Sequence, residues 1–561
     1  MIKYLFFDLG STLIDESECI EYRIQNLLQQ PNAPAREVLE RRMVELASQN
    51  RLPYKDAAKE YGLETIKWPK HLERVYEGIP EMLAKLKPRY GLGVIANQSL
   101  GTEQRLKEYG IRDYFDIIIS SAEAGVEKPD PEIFRLALEK AGCAPGEAIM
   151  IGDRLDNDIE PAAELGMHTI WVKQGAFAYG DVSLIGHKPE YTVDSVGEVL
   201  TISDELESIR REKTAQMKET AILREEIRKN HKLRFLFFEL TLRCNENCIH
   251  CGSRCGEALG EELPTEVFIG ILDKVAKDFA GSLPMLNITG GEPLLRKDFF
   301  EIVNHAKQLG FSWGMTSNGT LISKDVARKL KEAGMATVSI SLDGTKEYHE
   351  WFRRSAGSFE RTVEGLRNLM EQGFAEVQVT TVVTPRNLSQ LDDLFRVLCE
   401  IDVDSWRLVG MEPIGRALDS PELLLSREEQ LRLLRYIRDK REEGYPVTYA
   451  CSHWLGYEYE REVRDWYFLC QAGTRIASIM ANGDIGACPD IERRPETIQG
   501  NVLTDDFTDV WNNRFRIFRT PLSTRCEECG KCPDEQFCKG GSAHTWDYSL
   551  DRQRICFRRD W

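Results

Sequence analysis

The sequence predicts a multidomain α/β protein with a small cysteine-rich region near its C-terminal end. At 561 residues the chain is too long for one hydrophobic core, and its length suggests about three or four domains. Apolar strand-like runs alternate with amphipathic helical segments over residues 1–200 and again over residues 233–440, which indicates two largely parallel sheets. The fifteen cysteines crowd into residues 244–255 and 451–556, and only Cys19, Cys143 and Cys399 stand apart.

Composition and charge restrict the partners. The chain is 42% hydrophobic and 29% charged, with a net charge of -18 and no basic tract, so we expect no nucleic-acid partner. The N-terminus reads as a core strand rather than a signal peptide, and no apolar run approaches the length of a bilayer span. We therefore expect no membrane partner and a cytoplasmic location. In that compartment clustered cysteines indicate metal binding rather than disulfides, and we interpret the three isolated cysteines as buried thiols.

The first predicted domain covers residues 1–200. Its first strand, Ile2 to Phe7, ends at Asp8, and a carboxylate at the carboxyl end of a parallel strand is where an α/β sheet presents catalytic groups. Later strands end at Asn97, before Lys128, and before the acidic segment from Asp153 to Asp158. Residues 15 to about 85 have a helical pattern. We predict a Rossmann-like sheet with an inserted helical cap.

In this order the motifs resemble those of the haloacid dehalogenase superfamily of Mg²⁺-dependent phosphotransferases. The resemblance implies that Asp8 is a nucleophile that forms an aspartyl-phosphate. It also implies that Lys128 neutralises phosphoryl charge, and that Asp8, Asp153 and Asp158 hold Mg²⁺ through hard oxygen ligands.

Two positions depart from this family's pattern. Many of its phosphatases carry a general-acid Asp two residues after the nucleophile, where this chain has Gly10. Ala96 occupies the position that usually supplies a Ser or Thr hydroxyl to the phosphoryl group. A proton donor held in place is commonly worth about 10²- to 10⁴-fold in rate. Two interpretations therefore remain: a phosphatase, or a degenerate domain that binds a substrate or stabilises the chain.

Residues 201–232 are charged and favour a helix. We interpret them as a helical linker with solvated faces.

The predicted central domain, residues 233–440, begins with an unusual cysteine motif. Cys244, Cys248 and Cys251 follow the apolar run Phe235 to Leu240 at C-x3-C-x2-C spacing. Three thiolates on a short loop can bind three irons of a 4Fe-4S cluster and leave the fourth iron without a protein ligand. The alternatives are a structural zinc site, which usually takes four protein ligands, or three unrelated thiols.

This spacing resembles the signature of the radical S-adenosylmethionine (SAM) enzymes. The resemblance implies that the open iron chelates the amino and carboxylate groups of SAM. One-electron reduction then releases a 5′-deoxyadenosyl radical that abstracts hydrogen from a substrate. A fourth cysteine, Cys255, would close the iron that SAM needs, so we assign it no ligand role.

Six strand-like runs predict the partial (β/α)6 barrel of this family, with its chemistry at the carboxyl ends of the strands. They are Arg234 to Thr241, Met285 to Thr289, Phe311 to Ser317, Val338 to Leu342, Val377 to Val383, and Ser405 to Val409.

The strand ends carry the residues that the resemblance assigns to SAM. Gly290, Gly291 and Glu292 match the family's Gly-Gly-Glu-Pro motif, which binds the methionyl amine. His250 fills the aromatic position that lies against adenine. The residues expected to line the ribose and carboxylate of SAM are Ser317, Asn318, Ser339, Ser341 and Asp343, with Arg353 assisting.

The predicted C-terminal domain, residues 441–561, resembles the SPASM extension, which binds auxiliary Fe-S clusters in maturases of peptides and proteins. Cysteines that match one complete cluster site are Cys529, Cys532, Cys538 and Cys556. A second site would use Cys470 and Cys488, but Ser542 replaces its usual cysteine. Either Cys526, with or without Cys451, completes that site, or it has an open or non-cysteine ligand, or it is absent. Structural zinc is the alternative for this domain, and we expect Gly540 to Trp546 to serve packing.

The motifs together predict a radical SAM enzyme that modifies a ribosomally made peptide or protein by crosslinking, thioether formation, epimerisation or oxidation. Its partners would be that substrate and an electron donor such as flavodoxin or ferredoxin. One alternative is a bifunctional enzyme that acts on a phosphorylated small molecule. Another makes the N-terminal domain a non-catalytic module that docks the substrate.

Overall fold

The computed structural model describes residues 2–256, 262–450 and 452–560, so Cys451 lies outside the described residues. The chain divides into two compact units, residues 1–214 and 215–561. The division falls within the segment predicted as a linker.

The first unit contains one parallel sheet with strand order β5-β4-β1-β6-β7-β8. Residues of β1 pair with both neighbours in register, as Phe7 does with Val94 and Ile151. The carboxyl ends of β1, β4 and β6 therefore meet at one edge of the sheet. The strands of this unit are β1 (Tyr4–Phe7), β2 (Ile14–Asp15), β3 (Arg74–Val75), β4 (Gly91–Ala96), β5 (Ile117–Ser120), β6 (Ala148–Gly152), β7 (His168–Val172) and β8 (Tyr191–Val193).

A helical cap is inserted after β1. Its helices share a small core of their own that includes Leu27, Leu39 and Leu46. The short antiparallel pair β2–β3 joins the cap to the sheet. The helices of the first unit are α1 (Ser17–Leu28), α2 (Arg36–Ser48), α3 (Pro53–Glu60), α4 (Ile79–Leu86), α5 (Thr102–Glu108), α6 (Ser121–Ala124), α7 (Pro131–Ala141) and α8 (Glu160–Glu164).

The cap is shorter than the predicted 15 to about 85. Its chain returns to the sheet at β3, and α4 packs in the core of the sheet through Met82, Leu83 and Leu86. Periodicity alone could not separate α4 from the cap, because both are helical.

The predicted linker is one long helix, α9 (Val199–Lys229), but its faces are not all solvated. In the first unit, Tyr90 Oη donates to the carbonyl of Ser203 at 3.4 Å. In the second unit, Met217 packs with Trp454, Phe468 and Phe537, and the buried Arg224 donates to the carbonyl oxygens of Phe468 and Phe537. The expectation of a solvated linker is wrong, since each end of this helix packs in its own unit.

In the second unit, the sheet begins as a parallel run in the order of the chain, from β9 through β15. Buried apolar residues alternate with half-buried ones along its strands, as in β13. This alternation presents one face to the helices and the other to the interior of an open barrel. The parallel strands are β9 (Phe235–Glu239), β10 (Met285–Thr289), β11 (Trp313–Ser317), β12 (Met335–Ser341), β13 (Glu376–Val383), β14 (Ser405–Gly410) and β15 (Val447–Tyr449).

The C-terminal region extends the other edge of the same sheet. Strand β16 (Ile476–Ile479) pairs with β9 in parallel, followed by the antiparallel strands β17 (Asp484–Gly486) and β18 (Gly500–Asn501). A separate antiparallel pair consists of β19 (Trp546–Asp547) and β20 (Arg552–Gln553). The predicted central and C-terminal domains thus share one continuous sheet.

Helices cover the outer face of the barrel, and two short ones, α20 and α21, carry Cys529 and Cys538. In the part of the chain that is described, no helix has both the length and the apolar character to cross a bilayer. The helices of the second unit are α10 (Thr265–Asp278), α11 (Phe299–Gln308), α12 (Lys324–Glu332), α13 (Lys346–Arg353), α14 (Ser358–Met370), α15 (Leu391–Ile401), α16 (Arg427–Glu442), α17 (Gly456–Tyr459), α18 (Phe507–Asn513), α19 (Arg516–Arg519), α20 (Glu527–Gly530), α21 (Glu535–Cys538) and α22 (Phe557–Asp560).

Candidate functional site

The cysteine loop after β9 is fastened to the end of α13. The backbone N–H of Ile249 donates to the carbonyl of Phe352 at 3.0 Å. The buried Arg353 donates from Nε to Asp343 Oδ2 at 2.7 Å and from Nη1 to Glu246 Oε2 at 3.3 Å. Burial alone would raise the pKa of Asp343, but the Arg353 guanidinium outweighs it and lowers that pKa. Arg353 and Asp343, predicted beside SAM, thus form a buried ion pair that holds the loop.

Arg416 fastens the other side of the same loop. Its side chain donates from Nε to the carbonyl of Cys248 at 2.8 Å and from Nη1 to that of Cys255 at 2.9 Å. Its backbone N–H donates to the carbonyl of Cys251 at 3.0 Å. A Cβ at Gly415 would lie 2.3 Å from the same Cys251 oxygen, so only glycine allows this approach. No sequence signal indicated this role of Arg416.

The two glycines after β10 bring the Gly-Gly-Glu-Pro segment against the cysteine loop. A Cβ at Gly290 would lie 2.4 Å from the carbonyl oxygen of Thr241, and one at Gly291 would lie 2.1 Å from that of Arg243. Because no side chain fits at either position, glycine is required here for close packing of backbone on backbone.

Glu292 joins the ends of β10 and β11. Its fully buried carboxylate accepts from Ser317 Oγ at 3.0 Å and from the Asn318 N–H at 2.9 Å. The Asn318 side chain then donates to Asn245 Oδ1, inside the cysteine loop, at 2.8 Å. Burial raises the pKa of Glu292 to about 7 against these hydrogen bonds. The structure therefore links three of the predicted SAM segments directly.

His250 and the serines of β12 lie apart from that network. The His250 ring stacks on Phe352 with centroids 4.4 Å apart, and burial lowers its pKa to about 4. A neutral ring at pH 7 is suited to stacking on a nucleobase. Ser339 Oγ lies 2.9 Å from Thr380 Oγ1, and Ser341 is two residues further along the same half-buried face of β12.

The cysteine loop offers three thiols, and thiolates are the ligands that iron-sulfur clusters take. Burial raises the pKa values of Cys244 and Cys248 to about 11 and about 12, so a bound cation would be needed to hold them as thiolates at neutral pH. The Cys255 N–H donates to Cys251 Sγ at 3.3 Å. Within the described residues, no three cysteine sulfurs lie within 4.8 Å of one another. Thiolates on one zinc ion, each at about 2.3 Å from it, would lie closer together than that.

Four C-terminal cysteines line a single cavity of about 130 Å³, and they are those predicted for one cluster: Cys529, Cys532, Cys538 and Cys556. Burial raises the pKa of Cys538 to about 12.

The second predicted site differs at Ser542. This buried hydroxyl lies 2.6 Å from Thr545 Oγ1, which donates to Gln553. Cys470 and Cys526 both accept from backbone groups nearby, and with Cys488 they pack against the main core. The Ser542 hydroxyl is therefore engaged in a buried hydrogen bond with Thr545.

The sequence analysis missed a buried ionic group beside the cysteine loop. His544 Nε2 lies 3.1 Å from Glu412 Oε2, just after β14. Burial alone would lower the pKa of His544, but contact with Glu412 raises it to about 9. Asp490 is near the loop, since a Cβ at Gly252 would lie 3.7 Å from its Oδ1. His544 was expected to serve packing, and only its pairing with a distant Glu shows that it carries charge.

In the first unit, Lys128 lies between two of the predicted acidic residues. Its Nζ donates to Asp8 Oδ1 at 2.6 Å and to Asp158 Oδ1 at 2.5 Å. Asn97 holds Lys128 in place through two hydrogen bonds of 2.8 Å to its backbone. Oxygens of Asp8, Asp153 and Asp158 lie within 4.8 Å of one another, a spacing that would suit a hard divalent cation.

These groups open into a cavity of about 290 Å³. The sheet lines it with the acidic residues and Lys128, and the cap contributes Arg23, Tyr54 and Trp68. Glu16 also lines it, although the sequence offered no signal for it because it lies outside every motif.

Comparisons with known proteins agree with this arrangement. A sequence model of the radical SAM superfamily matches residues 238–398. A model of haloacid dehalogenase-like hydrolases matches residues 5–172, and the SPASM model, an iron-sulfur cluster-binding domain, matches residues 470–533. The predicted fold class and the three predicted families are confirmed.

Individual relatives match more than half of this chain. An AdoMet-dependent heme synthase of Methanosarcina barkeri is 29% identical over 349 residues, covering 58% of this chain and 97% of that protein. Mycofactocin maturase MftC of Mycobacterium tuberculosis is 33% identical over 311 residues, covering 54% and 77%. The crystal structure of Streptococcus suis SuiB bound to S-adenosylmethionine aligns with a TM-score of 0.49 and 18% identity, covering 60% and 80%.

Proposed function

This chain belongs to the radical SAM superfamily, and from that premise we propose that it modifies a ribosomally made peptide or protein by hydrogen abstraction. It is a radical SAM enzyme whose cofactors are 4Fe-4S clusters and S-adenosylmethionine. When bound, a cluster and SAM supply a radical strong enough to abstract hydrogen from carbon. The residues of this chain would bind the cluster and SAM, orient them and shield them from solvent.

We assign the SAM-binding cluster to Cys244, Cys248 and Cys251. The observation that carries this proposal is the chain of contacts from the cysteine loop through Asn318 to Glu292. It fixes the thiols relative to Gly290 and Gly291, so that the methionyl end of SAM would lie between them. His250 would stack on the adenine, while Ser317, Ser339, Ser341 and Asp343 would border the ribose and carboxylate.

The C-terminal cysteines would bind auxiliary clusters that serve the substrate rather than SAM. One cluster would bind Cys529, Cys532, Cys538 and Cys556, which share a cavity. A second would use Cys470, Cys488 and Cys526, with its last position left to a non-cysteine ligand or to substrate. A closed cluster carries electrons only, whereas an open iron can also hold a substrate group. The reducing electron would come from a protein donor such as flavodoxin or ferredoxin.

A peptide substrate is supported by the similarity to mycofactocin maturase MftC. Similarity to an AdoMet-dependent heme synthase gives a second candidate, a non-peptide substrate. The shared family alone does not choose between them. The choice therefore depends on an experiment that reports the substrate directly.

We would co-express short peptides encoded beside this gene with the enzyme under anaerobic conditions in deuterated water, and record their masses. A peptide that loses two hydrogens only with wild type would carry a crosslink or an oxidation. Uptake of one deuterium would indicate epimerisation. The control is the Cys244/Cys248/Cys251→Ala variant. An unchanged peptide alongside continued 5′-deoxyadenosine production would exclude that peptide and favour a small-molecule substrate.

For the first unit we propose a separate activity, the hydrolysis of a phosphomonoester. The placement of Lys128 between Asp8 and Asp158 supports it, because this amine would neutralise a phosphoryl group that bonds to Asp8. Asp8, Asp153 and Asp158 would bind Mg²⁺, which supplies Lewis-acid stabilisation of phosphoryl charge. Phosphate release that Asp8→Asn abolishes would establish the activity. If wild type releases no phosphate, a docking role for this unit is favoured instead.

A further inference from the structure

In the first unit, the carboxyl group of Glu16 lies beside Gly10, the position at which many related phosphatases carry their general acid. A Cβ at Gly10 would lie 2.9 Å from Glu16 Oε1, and the whole Glu16 carboxyl group lies within about the same distance. The backbone at Gly10 is not in the left-handed region. A side chain at this position would therefore compete with the Glu16 carboxyl group for the same space, whereas the backbone conformation would allow it.

The fold holds Glu16 in this position. It lies directly between β2, which pairs with β3 to join sheet and cap, and the first residue of α1. Ser11 Oγ donates to Glu16 Oε2 at 3.0 Å, which aims the carboxyl group into the 290 Å³ cavity that Asp8 also lines. Glu16 thus reaches, from six residues further along the chain, the space beside Gly10.

We propose that Glu16 is the general acid and base of this site, in place of the aspartate that many phosphatases of the haloacid dehalogenase superfamily carry at the position of Gly10. The inference rests on the phosphomonoester hydrolysis proposed above. It adds the residue that would deliver the proton, and it removes the main chemical objection to that activity.

The surroundings of Glu16 suit the role. Burial, and to a smaller extent the charge of Asp8, raise the pKa of Glu16 to about 7, although the hydrogen bond from Ser11 opposes the shift. Both the acid and the carboxylate are then populated near neutral pH, as a group that gives and later takes a proton requires.

The proposed reaction has two balanced steps. An Asp8 oxygen bonds to phosphorus as the bond to the ester oxygen breaks, and Glu16 gives its proton to that oxygen, so that the alcohol leaves. Glu16, now a carboxylate, takes a proton from water as the water oxygen attacks the phosphorus of the aspartyl-phosphate. The P–O bond to Asp8 breaks, and inorganic phosphate leaves. The leaving alcohol would face Arg23, Tyr54 and Trp68 of the cap.

The test uses Glu16→Gln in the full-length protein with Mg²⁺. Gln keeps the shape and an acceptor for Ser11 but cannot transfer a proton. We expect hydrolysis of glycerol 2-phosphate, whose alkoxide needs a proton to leave, to fall about 10²- to 10⁴-fold. With p-nitrophenyl phosphate, the first turnover should change less than about tenfold, because its leaving group departs without an acid. Later turnovers should be slow, which would produce a burst of p-nitrophenol.

Equal losses on both substrates without a burst, or full activity of Glu16→Gln on glycerol 2-phosphate, would overturn the role of Glu16 while leaving the phosphatase in place. No Asp8-dependent phosphate release by wild type from either ester would overturn the activity itself, and the role with it. The control is Glu18→Gln, an exposed residue of α1, which should match wild type.

A relocation of the acid provides a second test. Glu16→Ala frees the space beside Gly10, so Gly10→Asp in that background should recover at least about tenfold in glycerol 2-phosphate hydrolysis. No recovery would count against proton transfer and favour a packing role for Glu16.

Discussion

The two units hold their reactive groups in opposite ways. In the first unit the reactive side chains bind one another directly, as Lys128 binds Asp8 and Asp158. In the second unit the neighbours hold the backbone of the cysteine loop, as Arg416 holds the carbonyls of Cys248 and Cys255. Thiols that must bind iron have to keep their sulfur atoms available. Charged oxygens and an ammonium group, in contrast, can form a compact cluster that opens to a substrate.

The difference predicts that losing one site leaves the other intact. The largest effect is expected from Cys244/Cys248/Cys251→Ala, which removes the proposed cluster ligands, so that 5′-deoxyadenosine production falls to background. Release of phosphate by the same variant should equal that of wild type. The two activities are measured on one preparation, 5′-deoxyadenosine by chromatography and released phosphate by a phosphate assay. Retained SAM cleavage would show that these cysteines do not bind the cluster.

The reciprocal change is Asp8→Asn. Loss of the nucleophile should lower phosphate release at least about 10³-fold, while 5′-deoxyadenosine production and iron content stay at the wild-type level. A drop in both activities would mean that the two sites are coupled, and it would contradict their independence.

A smaller effect is expected at the contacts that hold the cysteine loop. Arg416→Met keeps bulk but removes the side-chain donor to the Cys255 carbonyl and leaves the Cys248 carbonyl only the Cys251 N–H at 3.4 Å. We expect a cost of about 1–3 kcal/mol. We expect iron retention against a chelator and SAM cleavage to weaken about ten- to a hundredfold. Arg328→Met, on the exposed face of α12, is the matched control. Equal behaviour of the two variants would argue that the loop does not depend on Arg416.

The last expected effect is on stability and not on either activity, and it concerns the pair His544 and Glu412. The folded-state pKa of His544 is raised from 6.5 to about 9, so the stability that it contributes is fully present below pH 6.5 and is lost as pH rises through 9. The difference corresponds to roughly 3 kcal/mol. The melting temperature of the wild type should therefore fall between pH 6.5 and 9 more than that of His544→Gln. Parallel curves would exclude a charged pair.

The sequence by itself determined the two sheets, and it indicated the cysteines and carboxylates that we propose as ligands. Residues that are close in sequence lie on the same loop, so the spacing of Cys244, Cys248 and Cys251 was enough to recognise them as one group. Alternating strands and helices predicted the barrel, because burial on both faces of a parallel sheet leaves a regular apolar pattern. The position of Asp8 at a strand end followed from the same pattern.

Only the tertiary structure decided which distant residues complete these sites. Glu16 occupies the space that Gly10 leaves, Arg416 lies more than 160 residues from the carbonyls that it binds, and Glu412 gives His544 its charge. No periodicity or spacing connects such residues, because their proximity arises from chain crossings that a linear pattern does not encode. The second half of α9 shows the same limit: its charged sequence suggested solvent on every face, but one face packs against Trp454, Phe468 and Phe537 through Met217.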